Sequence, residues 1–270
     1  MPADTSLPLG LHFIAQTPVP GLAVAERRVA HPDATIICAH GGLDRGGSFA
    51  RLARRTERFD FVTYDRRGYQ GSRELRPLGL AHHVQDLLAL ARREASRGPV
   101  IMFGHSFGGV VALGAAIAEP SLTQLVMVYE APLPWILRRH VTRTPLSDDP
   151  SLEAERFFRR VVSDDAWDRL SELQRDSRRA DGPALVSDLT GLHGHGEPLD
   201  LTQLSVPAYY LYGDGPIADY YRSLCVELQK VSPGIGRREL LNASHGAHLT
   251  APDQLAALIA SLWDDTCASA

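Results

Sequence analysis

One serine bracketed by glycines, two histidines close together near the far end of the chain, and several carboxylates at the ends of apolar runs are the residues best suited to chemistry. Gly104-His105-Ser106-Phe107-Gly108 follows a β-type apolar run and opens a run of small and apolar helix formers. A serine on such a sharp strand-to-helix turn adopts a strained backbone and lifts its hydroxyl above the edge of a sheet. The flanking positions must be small so that nothing collides across the turn. Gly104 and Gly108 meet that need, and Gly109 permits close backbone packing. A serine hydroxyl is a weak nucleophile; it needs a neighbouring base, and the base needs an orienting acid.

The base and acid are sought at later strand ends, in the chain order serine, acid, histidine. Leu241-Asn242-Ala243-Ser244-His245-Gly246 follows the last β-type run, which makes His245 the expected base. His248, three residues on, is the competitor; His245 is preferred because it comes sooner after the strand and has a small residue on each side. The expected acid is Asp214, in Tyr212-Gly213-Asp214-Gly215-Pro216, one strand before the histidine. Glu130, at the end of the strand after the serine's helix, and Asp219 are the alternatives. Donors for a developing oxyanion are expected from the backbone N–H groups of Gly42, in His40-Gly41-Gly42-Leu43, and of Phe107. Tyr64-Asp65-Arg66-Arg67-Gly68-Tyr69-Gln70-Gly71-Ser72 is read as a loop held by its own hydrogen bonds, bordering a pocket without a catalytic role. Trp135, Phe157, Phe158 and Trp167 are read either as pocket lining or as helix-packing anchors. His193-Gly194-His195 stands alone among glycines and is not taken as a metal site; no metal or other cofactor is expected.

Composition narrows the field. The chain has 270 residues, 44% hydrophobic and 22% charged, with a net charge of -4. That is enough apolar material to bury a large core, and the mild acidity argues against a nucleic-acid partner. The three cysteines, Cys38, Cys225 and Cys267, are far apart and form no metal knuckle or disulfide framework; Cys38 reads as a small buried side chain. No targeting or membrane-spanning pattern is visible, so the expectation is a cytoplasmic protein acting on a small molecule without engaging a membrane. Oligomeric state is not legible.

The elements that must position these groups follow from periodicity. Leu11–Gln16, Leu22–Val29, Thr35–Ala39, Phe59–Tyr64, Pro99–Phe103, Leu122–Tyr129, Ala208–Tyr212 and Arg238–Leu241 are predicted strands. Helices are predicted from Ser48 to about Glu57, and over Leu80–Ser96, Phe107–Ala118, Leu152–Val162, Asp165–Leu173, Pro183–Leu192, Asp219–Lys230 and Pro252–Trp263. Alternating strands and helices build a mostly parallel sheet covered on both faces. The alternation breaks between about Pro132 and Pro198. The expected organisation is therefore one α/β core, residues 1–131 and 199–270, with a helical cap insertion at 132–198.

His40-Gly41-Gly42, the Tyr64 to Ser72 loop, Gly104-His105-Ser106-Phe107-Gly108-Gly109 and Ser244-His245, in that order, resemble the α/β-hydrolase fold family over nearly the whole chain. The resemblance implies an eight-stranded, mostly parallel sheet and a helical cap after the sixth strand. It maps the family's nucleophile to Ser106, its base to His245, and its oxyanion donors to Gly42 and Phe107. Gly213-Asp214-Gly215-Pro216 departs from the family's Gly-x-x-Asp pattern, and some relatives carry the acid after the sixth strand, where Glu130 stands. A serine at position 106 argues against the epoxide hydrolase and haloalkane dehalogenase branches, which attack with aspartate. The expected activity is a cofactor-free serine hydrolase on a small to medium ester, thioester or related acyl compound. A C–C bond hydrolase or lyase with the same triad, and a ligand-binding protein on a hydrolase scaffold, are the rival readings.

Overall fold

Short runs of β-branched, aromatic and other apolar residues form the centre of a sheet in the computed structural model, which describes residues 10–137, 145–193 and 199–269. The strands are β1 (His12–Phe13), β2 (Val24–Arg27), β3 (Thr35–Ala39), β4 (Asp60–Tyr64), β5 (Val100–His105), β6 (Leu125–Tyr129), β7 (Ala208–Gly213) and β8 (Ile235–Leu240). They lie in the order β1-β2-β4-β3-β5-β6-β7-β8. β2 runs antiparallel to β1 and β4, and every other pairing is parallel. This is the mostly parallel eight-stranded sheet that the alternation predicts. β4 pairs with one side of β3 and β5 with the other, so the strand order reverses at β3. Open α/β sheets bind ligands at the carboxyl ends of strands at such a switch point, and Ser106 leaves the sheet there.

The helices are α1 (Ala50–Ala53), α2 (Leu80–Ala95), α3 (Phe107–Ala118), α4 (Pro134–Leu137), α5 (Pro150–Val161), α6 (Asp164–Asp168), α7 (Glu172–Ala180), α8 (Gly182–His193), α9 (Ala218–Val231), α10 (Ala247–Thr250) and α11 (Pro252–Ala268). Central strands are buried on both faces, and successive side chains alternate between two apolar layers. Ile37, Val62, Met102 and Val126 pack with Leu87 and Leu88 of α2, Val110 and Val111 of α3, and Leu224 and Leu228 of α9. Ile36, Phe61, Ile101 and Leu125 pack on the other side with Leu52 of α1 and Leu255, Ile259 and Trp263 of α11. Cys38 is fully buried in this second layer.

Two helices differ from expectation. The predicted helix from Ser48 shrinks to the four residues of α1, preceded by a 3₁₀ turn over Gly46–Phe49. The Thr56 hydroxyl donates back to the Ala53 carbonyl at 3.1 Å and closes the helix early. The helix predicted over Asp165–Leu173 breaks into α6 and the separate α7. Ser171 starts α7: its Oγ accepts from the Gln174 N–H at 3.3 Å, and Gln174 Oε1 accepts from the Ser171 N–H at 2.9 Å. That reciprocal Ser-x-x-Gln pair is a helix-start signature. Hydrophobic periodicity misses α7 because it buries no residue completely, and Leu173 lies open to solvent. Arg179 ties it to α5 through Glu155 at 3.0 Å.

α4 to α8 all lie between β6 and β7 in the chain. α8 is anchored to the rest of the fold by charge. Arg66, on the loop leaving β4, donates Nη2–H to Asp188 Oδ2 of α8 at 2.7 Å, with both side chains shut away from solvent. Tyr69 O–H donates to the same oxygen at 2.7 Å, and His83 Nε2 stands 3.0 Å from the other. Arg73 and Gln70 reach the buried Asp181, just before α8, in the same way. Burial alone would push the Asp188 carboxyl up; the charge of Arg66 and hydrogen bonds from His83 and Arg66 outweigh it, holding the carboxyl well below its usual range.

Removing one partner of such a pair strands the other charge in the interior. Asp188→Ala should therefore cost about 3–5 kcal/mol in urea unfolding. The lowered carboxyl pKa gives the sign of the pH dependence. The advantage of wild type is full above the unfolded carboxylate pKa of about 3.9 and shrinks as pH falls below it. A loss below about 1 kcal/mol, or a difference that does not change in acid, would show that the pair does not carry this contact.

Candidate active site

Ser106 sits between the end of β5 and the start of α3 with φ of 52°. A positive φ costs a residue with a side chain about 1–3 kcal/mol and persists only where packing enforces it. Here the enforcement is the absence of two side chains. A Cβ on Gly104 would lie 2.3 Å from the Gly108 carbonyl oxygen, and one on Gly108 would lie 2.0 Å from that of Ala39. The Ser106 N–H donates to the Tyr129 carbonyl at 2.9 Å, which holds the turn against β6. Ser106 is partly exposed, and among the described residues no hydrogen bond engages its hydroxyl.

His245 lies on the loop between β8 and α10 with its side chain 30% exposed. Its Nδ1 is 2.6 Å from Glu130 Oε2. With the carboxylate accepting from Nδ1–H, the lone pair stands on Nε2, the tautomer a general base requires. Glu130 directly follows β6, at φ 49° and 3% exposed. Its second oxygen, Oε1, accepts from the Gly213 N–H at 2.9 Å, so both oxygens are engaged and the carboxylate has little freedom to turn.

Asp214, the expected acid, is elsewhere. It is exposed, and its Oδ1 accepts from the Ala243 N–H at 3.1 Å. Backbone hydrogen bonds from Asn242 and Ala243 lower its carboxyl pKa. Its short side chain is used up in shaping the turn that leads to His245, and the carboxylate touching the imidazole is Glu130. Asp219 sits in the first turn of α9, paired with Arg222 at 2.7 Å. His248 is buried in α10 beside Phe49 and Asp44.

The loop after β3 lies against the start of α3: a Cβ on Gly108 would lie 2.6 Å from the His40 carbonyl oxygen. Phe107 is the first residue of α3, so its N–H has no partner within the helix. Gly41 lies directly beside the serine: a Cβ there would be 2.9 Å from Ser106 Cβ and 3.4 Å from Oγ. A Cβ on Gly42 would meet Leu185 and Phe157 at 3.0 and 3.5 Å, placing apolar groups of α8 and α5 over this loop. Phe158 and Trp167 pack on each other at 5.4 Å, and Trp135 packs against the core, so these three are packing residues. The side chain of His193 and residues 194–198, including His195, lie outside the described residues.

The loop after β4, given no catalytic role from sequence, supports this arrangement from beneath. Arg66 Nε–H donates to the His40 carbonyl at 2.8 Å and Nη2–H to the Gly41 carbonyl at 3.3 Å. The Arg66 N–H donates to His40 Nε2 at 2.9 Å, while His40 Nδ1 reaches the Gly41 carbonyl at 2.7 Å. Burial and the Arg66 charge push the His40 imidazole down to about 3, so it is neutral and accepts at Nε2. Asp65 accepts from the N–H groups of Gly46 and Gly71. The signal that could have drawn attention to Arg66 is its position directly after a fully buried strand, where an arginine must find partners or stay out of the core.

With this geometry in view, comparison with known proteins is decisive for the family. Residues 36–258 match the model of the alpha/beta hydrolase family. The chain belongs to that family. The lipase LipV of Mycobacterium tuberculosis (strain ATCC 25618 / H37Rv) is 33% identical over 87 residues, 32% of this chain and 33% of LipV, so the alignment spans only a third of that relative. A putative lipase from Acinetobacter baumannii AYE superposes with a TM-score of 0.71 at 16% identity, covering 97% of this chain and 94% of that one. A thermophilic esterase from Thermogutta terrifontis superposes with a TM-score of 0.69 at 18% identity, covering 95% and 98%. Family membership supports a hydrolase activity for this alpha/beta hydrolase.

Gly41→Ala should leave the fold intact by circular dichroism while pushing the Ser106 hydroxyl aside. Displacements of this size cost about a hundredfold in rate, so labelling of Ser106 by a fluorophosphonate should slow by about that factor. Unchanged labelling would mean that the contact with Gly41 does not position the hydroxyl.

Proposed function

We propose that this protein is a serine hydrolase in which Ser106 is the nucleophile, His245 the general base and Glu130 the orienting acid. The observation that carries the proposal is the 2.6 Å contact between His245 Nδ1 and a Glu130 carboxylate fixed on both oxygens, beside a serine at the end of the neighbouring strand. Ser106 Oγ attacks the substrate carbonyl carbon as His245 Nε2 takes the hydroxyl proton. The oxyanion that forms accepts from the N–H groups of Phe107 and Gly42. The tetrahedral species collapses, His245 returns the proton to the leaving oxygen or sulfur, and an acyl-Ser106 ester remains. Water, deprotonated by the same imidazole, then releases the acid. Glu130 stays ionised throughout and stabilises the imidazolium.

The substrate class is a small to medium ester, thioester or related acyl compound. Support comes from the apolar Leu185 and Phe157 crowding Gly42, and from relatives named lipase and esterase. In this reading α5 to α8 form a cap over residues 132–198, held by the buried Arg66–Asp188 pair.

A fluorophosphonate probe should add one equivalent to the folded protein, on Ser106, and none to Ser106→Ala. Glu130→Gln should lower kcat on p-nitrophenyl esters by about 10³–10⁴-fold, as expected when the base loses its orienting charge. Asp214→Asn weakens only hydrogen bonds that shape the loop and should cost no more than about tenfold. Absence of an adduct on folded protein would sink the nucleophile assignment. A larger loss for Asp214→Asn than for Glu130→Gln would return the acid role to Asp214.

A further inference from the structure

A second cluster of titratable groups lies next to this machinery and takes no part in the proposed acyl chemistry. Asp44 belongs to the loop after β3, His105 is the last residue of β5, and His248 lies in α10. His105 and His248 are 6% and 2% exposed. Their rings stand 4.5 Å apart, and both face Asp44 Oδ2, His248 Nε2 at 3.4 Å and His105 Nδ1 at 3.9 Å. One donor atom from each residue falls within 4.8 Å of the other two.

The hydrogen bonding of this cluster is incomplete. His105 Nε2–H donates to the His245 carbonyl at 2.8 Å, which leaves the lone pair on Nδ1. That Nδ1 is buried with no hydrogen-bond partner, and so are both ring nitrogens of His248. Buried polar atoms are normally satisfied, so two orphaned imidazole nitrogens, His105 Nδ1 and His248 Nε2, turned toward one carboxylate oxygen are a departure that calls for a ligand. A proton shared with Asp44 would satisfy one nitrogen; a cation at the centre satisfies one donor on each residue at once.

We propose that Asp44, His105 and His248 bind one divalent first-row transition ion of the zinc type, through Asp44 Oδ2, His105 Nδ1 and His248 Nε2. Donors about 2.0–2.2 Å from a tetrahedral ion lie about 3.4 Å from one another; the two edges to Asp44 are 3.4 and 3.9 Å and all three donors lie within 4.8 Å, so binding draws the imidazoles inward. Two imidazoles and one carboxylate select such an ion over calcium or magnesium, which take oxygen ligands. The surroundings already supply the outer contacts a metal site uses: His105 hands its other N–H to a backbone carbonyl, and the Ser48 hydroxyl donates to Asp44 Oδ2 at 3.0 Å. The ion would staple the loop that carries Gly42, the residue before the candidate nucleophile and the helix following the candidate base. Its role is to hold those segments, with no bond to substrate.

The test is direct binding to the chelator-treated, full-length protein. Titration with Co2+ should give a saturable visible d–d absorption that Zn2+ displaces, and equilibrium dialysis should give one Zn2+ per chain with a raised thermal midpoint. Asp44→Asn and His248→Gln should each weaken Zn2+ at least about tenfold, while the exposed His82→Ala should bind as wild type does. Circular dichroism confirms that each variant is folded; should one fail to fold, the other and the wild-type titration still decide. No saturable Co2+ signal from folded wild-type protein would overturn the proposal. So would equal Zn2+ affinity in folded Asp44→Asn or His248→Gln, which would place the ion on other side chains. None of these readouts depends on hydrolysis.

Discussion

The start of α3 is pressed so closely onto the end of β3 that no side chain fits between them. A methyl group on Gly108 would sit 2.0 Å from the Ala39 carbonyl oxygen and 2.6 Å from that of His40. This contact does more than allow a tight turn. It fixes where the first N–H groups of α3 lie relative to the His40-Gly41-Gly42 loop, because the same carbonyls end β3 and begin the loop. It also leaves Ser106 no room to relax out of its φ of 52°. The nucleophile candidate and both oxyanion candidates are thus consequences of one backbone approach, made where the strand order reverses.

Strain is distributed in keeping with this. Among the described residues, the non-glycine positions with positive φ are Leu43, Gln70, Ser106, Glu130 and Asn242. They follow β3, β4, β5, β6 and β8, each in the connection that leaves the carboxyl end of a strand. At about 1–3 kcal/mol each, this is a substantial cost to concentrate along one edge of a sheet. The apolar layers on both faces of the sheet are large enough to carry it. Glu130 shows what such strain achieves: its backbone turns sharply after β6 and its side chain meets both the Gly213 N–H and the His245 ring.

The parts of the site that depend on local chain geometry were legible in the sequence. Glycines around Ser106, glycines after Thr35–Ala39 and a histidine soon after the last strand each carry a steric or positional requirement visible in one short segment. The candidate acid was not legible in the same way. Asp214 and Glu130 both follow strands, and the choice depends on contacts between segments distant in sequence. Asp214 meets the Ala243 N–H before it could reach the imidazole, whereas the extra methylene of Glu130 and its turned backbone carry its carboxylate to the ring. Arg66 was hidden for a related reason. Its charge is tolerable in the interior only because Asp188 arrives from a helix 122 residues later, and no local pattern announces that partner. Helix α7 escaped because surface ion pairs and a start signal form it, without an apolar stripe.

Electrostatics then divide the work between two neighbouring histidines. The rings of His105 and His245 are 4.7 Å apart, too close for both to carry a positive charge comfortably. Burial and the other imidazoles keep His105 neutral, with its pKa well below normal. Its Nε2–H is committed to the His245 backbone carbonyl, so it steadies the loop without competing for Glu130. His245 is the more exposed ring and the one beside a fixed carboxylate. In the proposed mechanism His245, and not His105, therefore takes the proton from Ser106.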